Sequence, residues 1–365
     1  MTWLDSVAQR IGPLDALAIT TASARLDQLT KPPGSLGRLE SLVTQLAGIT
    51  GCEMPHVDRP AVVVFAADHG VTAQGVSAYP SDVTAQMVAN FARGGAAINV
   101  LAGLAGAQVV VVDVGVGGAI PAVEAATTGG ARLVEARVMG GTRDMTLEAA
   151  MTRGEALAAI DVGRRVVSEL IADGADLIAV GEMGIGNTTT ASALVAVMTG
   201  RPSAEVTGRG TGLDDLALQH KVGVIDAALD RHRPDLADPL AVLSAVGGLE
   251  VAALVGAILH AAESSVPVLL DGFIAGSAAL IAAAMAPDVT SRLIASHRSS
   301  EPGHAIALDL LGLKPLLDLE LRLGEGSGAA LALPLVRAAC AILAGMATFE
   351  GAAVSGPRRG SGDGG

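Results

Sequence analysis

Residues 176–190 read DLIAVGEMGIGNTTT. An apolar, β-branched run ends at Gly181, glycines follow at 184 and 186, and Asn187–Thr188–Thr189 are residue types that cap helices. A strand feeding a glycine-rich helix start is the repeating unit of layered α/β sheets. Five further runs share the pattern: AVVVFAA (61–67), QVVVVDVG (108–115), ARLVEARV (131–138), VPVLLDG (266–272) and SRLIAS (291–296). Continuous apolar runs suit parallel strands covered on both faces. Each is followed, soon or after a loop, by an Ala- and Leu-rich segment with helical spacing. The reading predicts an α/β fold with a mostly parallel sheet flanked by helices.

The rest of the chain fits around that domain. Residues 5–27 and 36–49 have helical spacing, separated by a turn at Pro32–Pro33–Gly34, and Ser35 is placed to cap the second helix. A last helical stretch, 328–350, is expected to pack with these N-terminal helices as a small helical domain. The expected division is 1–58 for the N-terminal part of the small domain and 59–327 for the large α/β domain. Residues 328–352 return to the small domain, and 353–365 form a Gly-rich disordered tail.

Of the 365 residues, 50% are hydrophobic, 17% charged and 2% aromatic, so the core is built from small aliphatic side chains. A net charge of −13 argues against nucleic acid and anionic membrane as partners, since both need a basic face. Cys52 and Cys340 are too few for a disulfide framework or a zinc site. The N-terminus carries Asp5 and no apolar core of a signal peptide, and the apolar window 272–287 is short for a membrane span; a cytoplasmic protein is expected.

Ligands of open parallel sheets bind beyond the carboxyl ends of the strands. There the sequence places ADHG (67–70), GEMGIGNTTT (181–190), DG (271–272) and SHRSSEPGH (296–304), with LRLGEGSGA (321–329) opening the last helix. Gly184, Gly186, Asn187 and Thr188 form either an anion site at a helix start or an ordinary turn with its cap. The string TGRGTGLDDLALQHK (207–221) repeats the device, with Gly212 before a helix and Lys221 on it. Asp68 and His69 suggest a metal or acid/base pair, yet no HExxH or paired Cys/His spacing accompanies them, and His69, His297 and His304 read as structural histidines bonded to backbone carbonyls. Tyr79, the one tyrosine, sits on a loop before Gln86 and offers a ring face to a planar ligand. Glu325, between two glycines, is a candidate general base.

Together these segments resemble nicotinate-nucleotide–dimethylbenzimidazole phosphoribosyltransferases. The resemblance rests on LTKPPGSLGRLE (29–40), FAADHGV (65–71), SAYPSDVTAQMV (77–88), GEMGIGNTTTASAL (181–194), LLDGFIAGSAAL (269–280), SHRSSEPGH (296–304) and LRLGEGSGAALALPLV (321–336). It implies a Rossmann-like large domain, a homodimer and no cofactor. It implies transfer of ribose 5-phosphate from nicotinate mononucleotide to 5,6-dimethylbenzimidazole, giving α-ribazole 5′-phosphate and nicotinate during cobalamin lower-ligand assembly. Glu325 falls on the family's base and Glu182 on its second carboxylate. Phosphate and ribose contacts fall on Gly184, Gly186, Asn187, Thr188, Gly212, Lys221 and Ser299, and the benzimidazole pocket near Tyr79 and Gln86. No step of that reaction calls for a metal. Two other classes fit the residues alone: a metal-dependent phosphate-handling enzyme using Asp68 and His69, and a non-catalytic nucleotide-binding regulator.

Overall fold

The computed structural model describes residues 3–122 and 129–356. The chain forms two compact units: the residues up to Gly12 together with Asp58–Leu333, and Pro13–Val57 together with the chain from Pro334 on.

The larger unit is built on a six-stranded parallel sheet: β1 (Pro60–Ala67), β2 (Gln108–Gly115), β3 (Arg132–Glu135), β4 (Leu177–Met183), β5 (Val268–Leu270) and β6 (Leu293–Ala295), in the order β3-β2-β1-β4-β5-β6. Every residue of β1 is buried, as a central strand covered on both faces must be. Val63 and Phe65 point into a core shared with the helix Leu249–Glu263, thirteen of whose fifteen residues are buried. That helix packs closely on Arg153–Ala172. A Cβ on Gly163 would run into the Ala253 carbonyl, and one on Gly256 into that of Ile160. Backbone approach of this kind lets a core poor in aromatics reach full density.

β3 stops at Glu135, short of the expected 138, because it is an edge strand and Arg137 turns to pair with Asp113 at 2.8 Å. Residues 5–27 are not one helix. Gly12–Pro13 breaks them into Trp3–Arg10 and Ala16–Gln28, since the residue before proline is steered out of the α region. The first of these does not join the small unit as expected. Trp3 Nε1 and Arg10 Nε both donate to Glu263, at 2.8 and 2.7 Å, and fix it to the larger unit.

In the smaller unit, Ala16–Gln28 packs on Arg38–Thr50, and Asp15 caps the former through the Ala18 N–H at 2.9 Å. Ser35 caps nothing: the cap position of Arg38–Thr50 is Gly37, and the neighbouring Leu36 N–H is taken by Glu40, which also pairs with Lys31 at 2.9 Å. The unit boundary falls inside the helix Ser327–Gly345, at Pro334. Of the expected tail, residues 353–356 are exposed and 357–365 lie outside the described residues.

Candidate active site

The chain order of the sheet reverses between β1 and β4, where a doubly wound sheet opens a crevice at its carboxyl edge. A cavity of about 330 Å³ lies there, its wall including Tyr79, Glu182, Gly186, Thr188, Ser299 and Arg322. Glu182 is the penultimate residue of β4, and the turn that follows the strand, Gly184–Gly186, lines the cavity.

Three buried carboxyl groups meet at this edge: Glu182, Asp271 just past β5, and Glu325. Asp271 accepts three backbone N–H groups from the start of the last helix: Gly326 at 3.1 Å, Gly328 at 2.7 Å and Ala329 at 3.1 Å. Glu325 sits in that turn with φ +64°, between Gly324 at +83° and Gly326 at +84°. Three successive left-handed residues are costly, and only the flanking glycines adopt them without strain. The turn is held at its other end by the Glu325 N–H, which donates to the Glu182 carbonyl at 3.1 Å. The Glu325 carboxylate faces the start of the helix Ala97–Ala105, where the Ile98 N–H lies at 3.4 Å.

Burial dominates the electrostatics. It raises Glu182 well above the usual carboxyl range, reinforced by the charges of Asp271, Glu250 and Glu325, with the Asn187 amide pulling the other way. Burial lifts Asp271 to about 7 against its three N–H donors, and lifts Glu325 against Ile98. Glu182 is thus harder to ionise than an ordinary carboxyl. A buried carboxyl of raised pKa is suited to proton transfer near neutrality.

The glycine-rich start of Asn187–Thr199 is real, but its capping differs from the expectation. Gly186 is the cap residue, at φ +96°, and the Asn187 amide instead donates to Glu182 Oε2. Thr188 accepts from Lys221 Nζ at 2.8 Å, placing a fully buried ammonium behind the cavity wall. Gly210 and Thr211 line the cavity; Gly212, at φ +101°, stands one step back. Ser299 lines it too. Tyr79 is on the wall and half-exposed. Gln86 is not: on Asp82–Arg93 the inward positions are Thr84, Ala85, Val88 and Ala89, and Gln86 is exposed.

His69, His297 and His304 do not bond backbone carbonyls as expected. His69 Nε2 faces Glu250 Oε1 at 2.9 Å and its Nδ1 faces Thr190 Oγ1 at 3.1 Å, all buried beneath the Gly184–Gly186 turn. Burial disfavours the charged ring, but Glu250 and Asp68 outweigh it and raise His69 above its usual value. His304 Nδ1 accepts the Ser299 N–H at 2.8 Å, and burial pushes it down to about 3, a neutral acceptor. Asp68 Oδ2 accepts the Gly117 N–H at 2.7 Å. Three wall or near-wall residues escaped the sequence reading: Asp271, Glu301 and Arg322. Each lay inside a quoted motif, but its partners come from distant segments.

Residues 11–354 match the model of a family described as phosphoribosyltransferase. The chain belongs to this phosphoribosyltransferase family. Its relatives include the nicotinate-nucleotide–dimethylbenzimidazole phosphoribosyltransferases of Chloroflexus aggregans, 56% identical over 97% of this chain and 99% of the relative, and of Salinispora tropica, 55% identical over 96% and 99%. The crystal structure of the enzyme so named from Thermus thermophilus superposes with a TM-score of 0.87 at 47% identity, covering 94% of this chain and 100% of that one. The family's fold is the layered sheet described above, and the protein is a pentosyltransferase.

Proposed function

We propose that the protein moves ribose 5-phosphate from nicotinate mononucleotide to 5,6-dimethylbenzimidazole, yielding α-ribazole 5′-phosphate and nicotinate for the cobalamin lower ligand. The observation that carries this is Glu182 on the cavity wall, with the buried Asp271 and Glu325 beside it at the same sheet edge, next to a glycine-rich helix start. The near-full-length relatives support it.

A benzimidazole nitrogen attacks C1′ of the nucleotide. The C1′–N bond to the pyridinium breaks and its electron pair returns to nicotinate, which leaves neutral at nitrogen without a general acid. The ring N–H proton of the benzimidazole passes to Glu325. Cationic character at C1′ grows in a dry carboxyl-lined site, where ionised side chains act far more strongly than in water. Glu182 is the group beside it. The phosphate takes the Gly184–Gly186 turn, Asn187, Thr188, Ser299 and Lys221, while Tyr79 stacks on the acceptor. A resident metal has no step to serve. Homodimer assembly and a cytoplasmic location belong to the same reading.

The test is incubation with both substrates and identification of the product by mass and NMR. A single displacement inverts the β-nucleotide to the α anomer. A β product, or brisk exchange of labelled nicotinate into the nucleotide without acceptor, would point to a covalent sugar–enzyme intermediate instead. Absence of any ribosylated base would overturn the substrate assignment.

A further inference from the structure

Lys221 Nζ donates to Thr188 Oγ1 at 2.8 Å and to the Gly208 carbonyl at 3.3 Å. An ammonium has three donors, so one is left beyond these two; Nζ is buried and meets the cavity through Thr188, which lines it. The Gly208–Gly210 turn is pressed between this ammonium and Glu301. A Cβ on Gly210 would come 3.3 Å from Lys221 Nζ, and one on Gly208 would collide with the Glu301 carboxylate. Glu301 Oε1 accepts the Gly210 N–H at 3.0 Å, while its Oε2 is buried and has no hydrogen-bond partner. Glu301 is itself fixed, opening the helix Pro302–Leu311 with its N–H on Ser299 Oγ at 3.3 Å.

Other charged groups in this region are already engaged. Arg209 pairs with Asp215, Arg322 donates to the Gly210 carbonyl at 2.8 Å, and Asp226 accepts from Ser203. Among the described residues, Glu301 is the one whose charge acts on Lys221. Burying a carboxylate oxygen without a partner is expensive unless its field is used.

We infer that Glu301 is a positioning residue of the phosphate subsite: it clamps the Gly208–Gly210 turn and supplies the counter-charge that keeps Lys221 an ammonium after its water is stripped away. This rests on the proposed nucleotide reading. Burial pulls Lys221 down to about 8 and Glu301 opposes it. Without that charge, Lys221 loses its proton at lower pH and its hold on the phosphate with it.

The experiment is calorimetric titration of nicotinate mononucleotide into the whole protein between pH 6 and 9.5, for wild type, Glu301→Gln and Glu301→Asp. Wild-type affinity should fall as pH passes about 8. In Glu301→Gln the fall should move about one pH unit lower, a roughly fivefold loss at pH 8 that approaches roughly tenfold above pH 9, with affinities converging at pH 6. Glu301→Asp, which keeps the charge, should restore the wild-type profile. In a Lys221→Arg background, where the cation does not titrate, Glu301→Gln should leave the profile unmoved. A weaker affinity in Glu301→Gln at every pH with an unshifted fall would reduce Glu301 to a brace and overturn the inference. Wild-type turnover is measured alongside: if wild type makes no ribosylated product, the substrate reading fails instead.

Discussion

The backbone N–H of Glu325 donates to the carbonyl of Glu182 at 3.1 Å. One hydrogen bond thus ties the turn carrying the proposed base to the end of a central strand, and Asp271 ties its other side. The base is held in a strained turn by groups that are themselves rigid, which is how a site keeps a productive geometry.

Glu325→Gln should retain nucleotide binding and lower kcat by roughly 10²–10⁴, the range of general-base catalysis. Steady-state kinetics with calorimetric affinities check this. Near-normal turnover moves the base elsewhere.

Asp271→Asn turns an amide N–H₂ toward N–H donors. It should cost about 1–3 kcal/mol of stability and lower kcat with little change in nucleotide KM. The folded carboxyl stands at about 7 against 3.8, so its favourable neutral form is lost as pH rises through that window. Asn does not titrate there. The stability difference, wild type minus variant, should therefore shrink from pH 4 to pH 7, as denaturant unfolding at each pH would show. A constant difference would mean that Asp271 is ionised throughout.

Burial, with the charges of Asp271, Glu250 and Glu325, raises Glu182 and disfavours its ionisation. A nucleotide bearing a cationic pyridinium favours its ionisation. Nucleotide binding should release a proton, seen as a dependence of the apparent binding enthalpy on buffer ionisation enthalpy, and Glu182→Gln should abolish the release. Equal enthalpies across buffers in wild type would contradict it.

Tyr79→Ala should raise the KM for the benzimidazole well above any change for the nucleotide, since its ring is on the cavity wall. Gln86→Ala should leave both constants unchanged, because Gln86 is exposed on the outer side of its helix. A raised acceptor KM in Gln86→Ala would restore it to the pocket.

The sequence by itself determined the layered sheet. Six apolar, β-branched runs, each followed by a helical segment, can satisfy their backbones and bury both faces in few other ways, and the strands lie where those runs are. It also marked Glu182, the Gly184–Gly186 turn and Glu325, because strand ends and glycine-flanked carboxylates are local patterns. Tertiary structure alone decided the partners. Asn187 caps its helix in any local reading, yet a buried Glu182 takes its amide. Asp271 and Glu301 look like ordinary strand-end and helix-start acids until residues 326–329 and 208–210 arrive against them. The reason is physical: propensity and period act over a few residues, whereas desolvation and hydrogen-bond pairing of a buried charge are set by whatever the folded chain brings within about 3 Å of it.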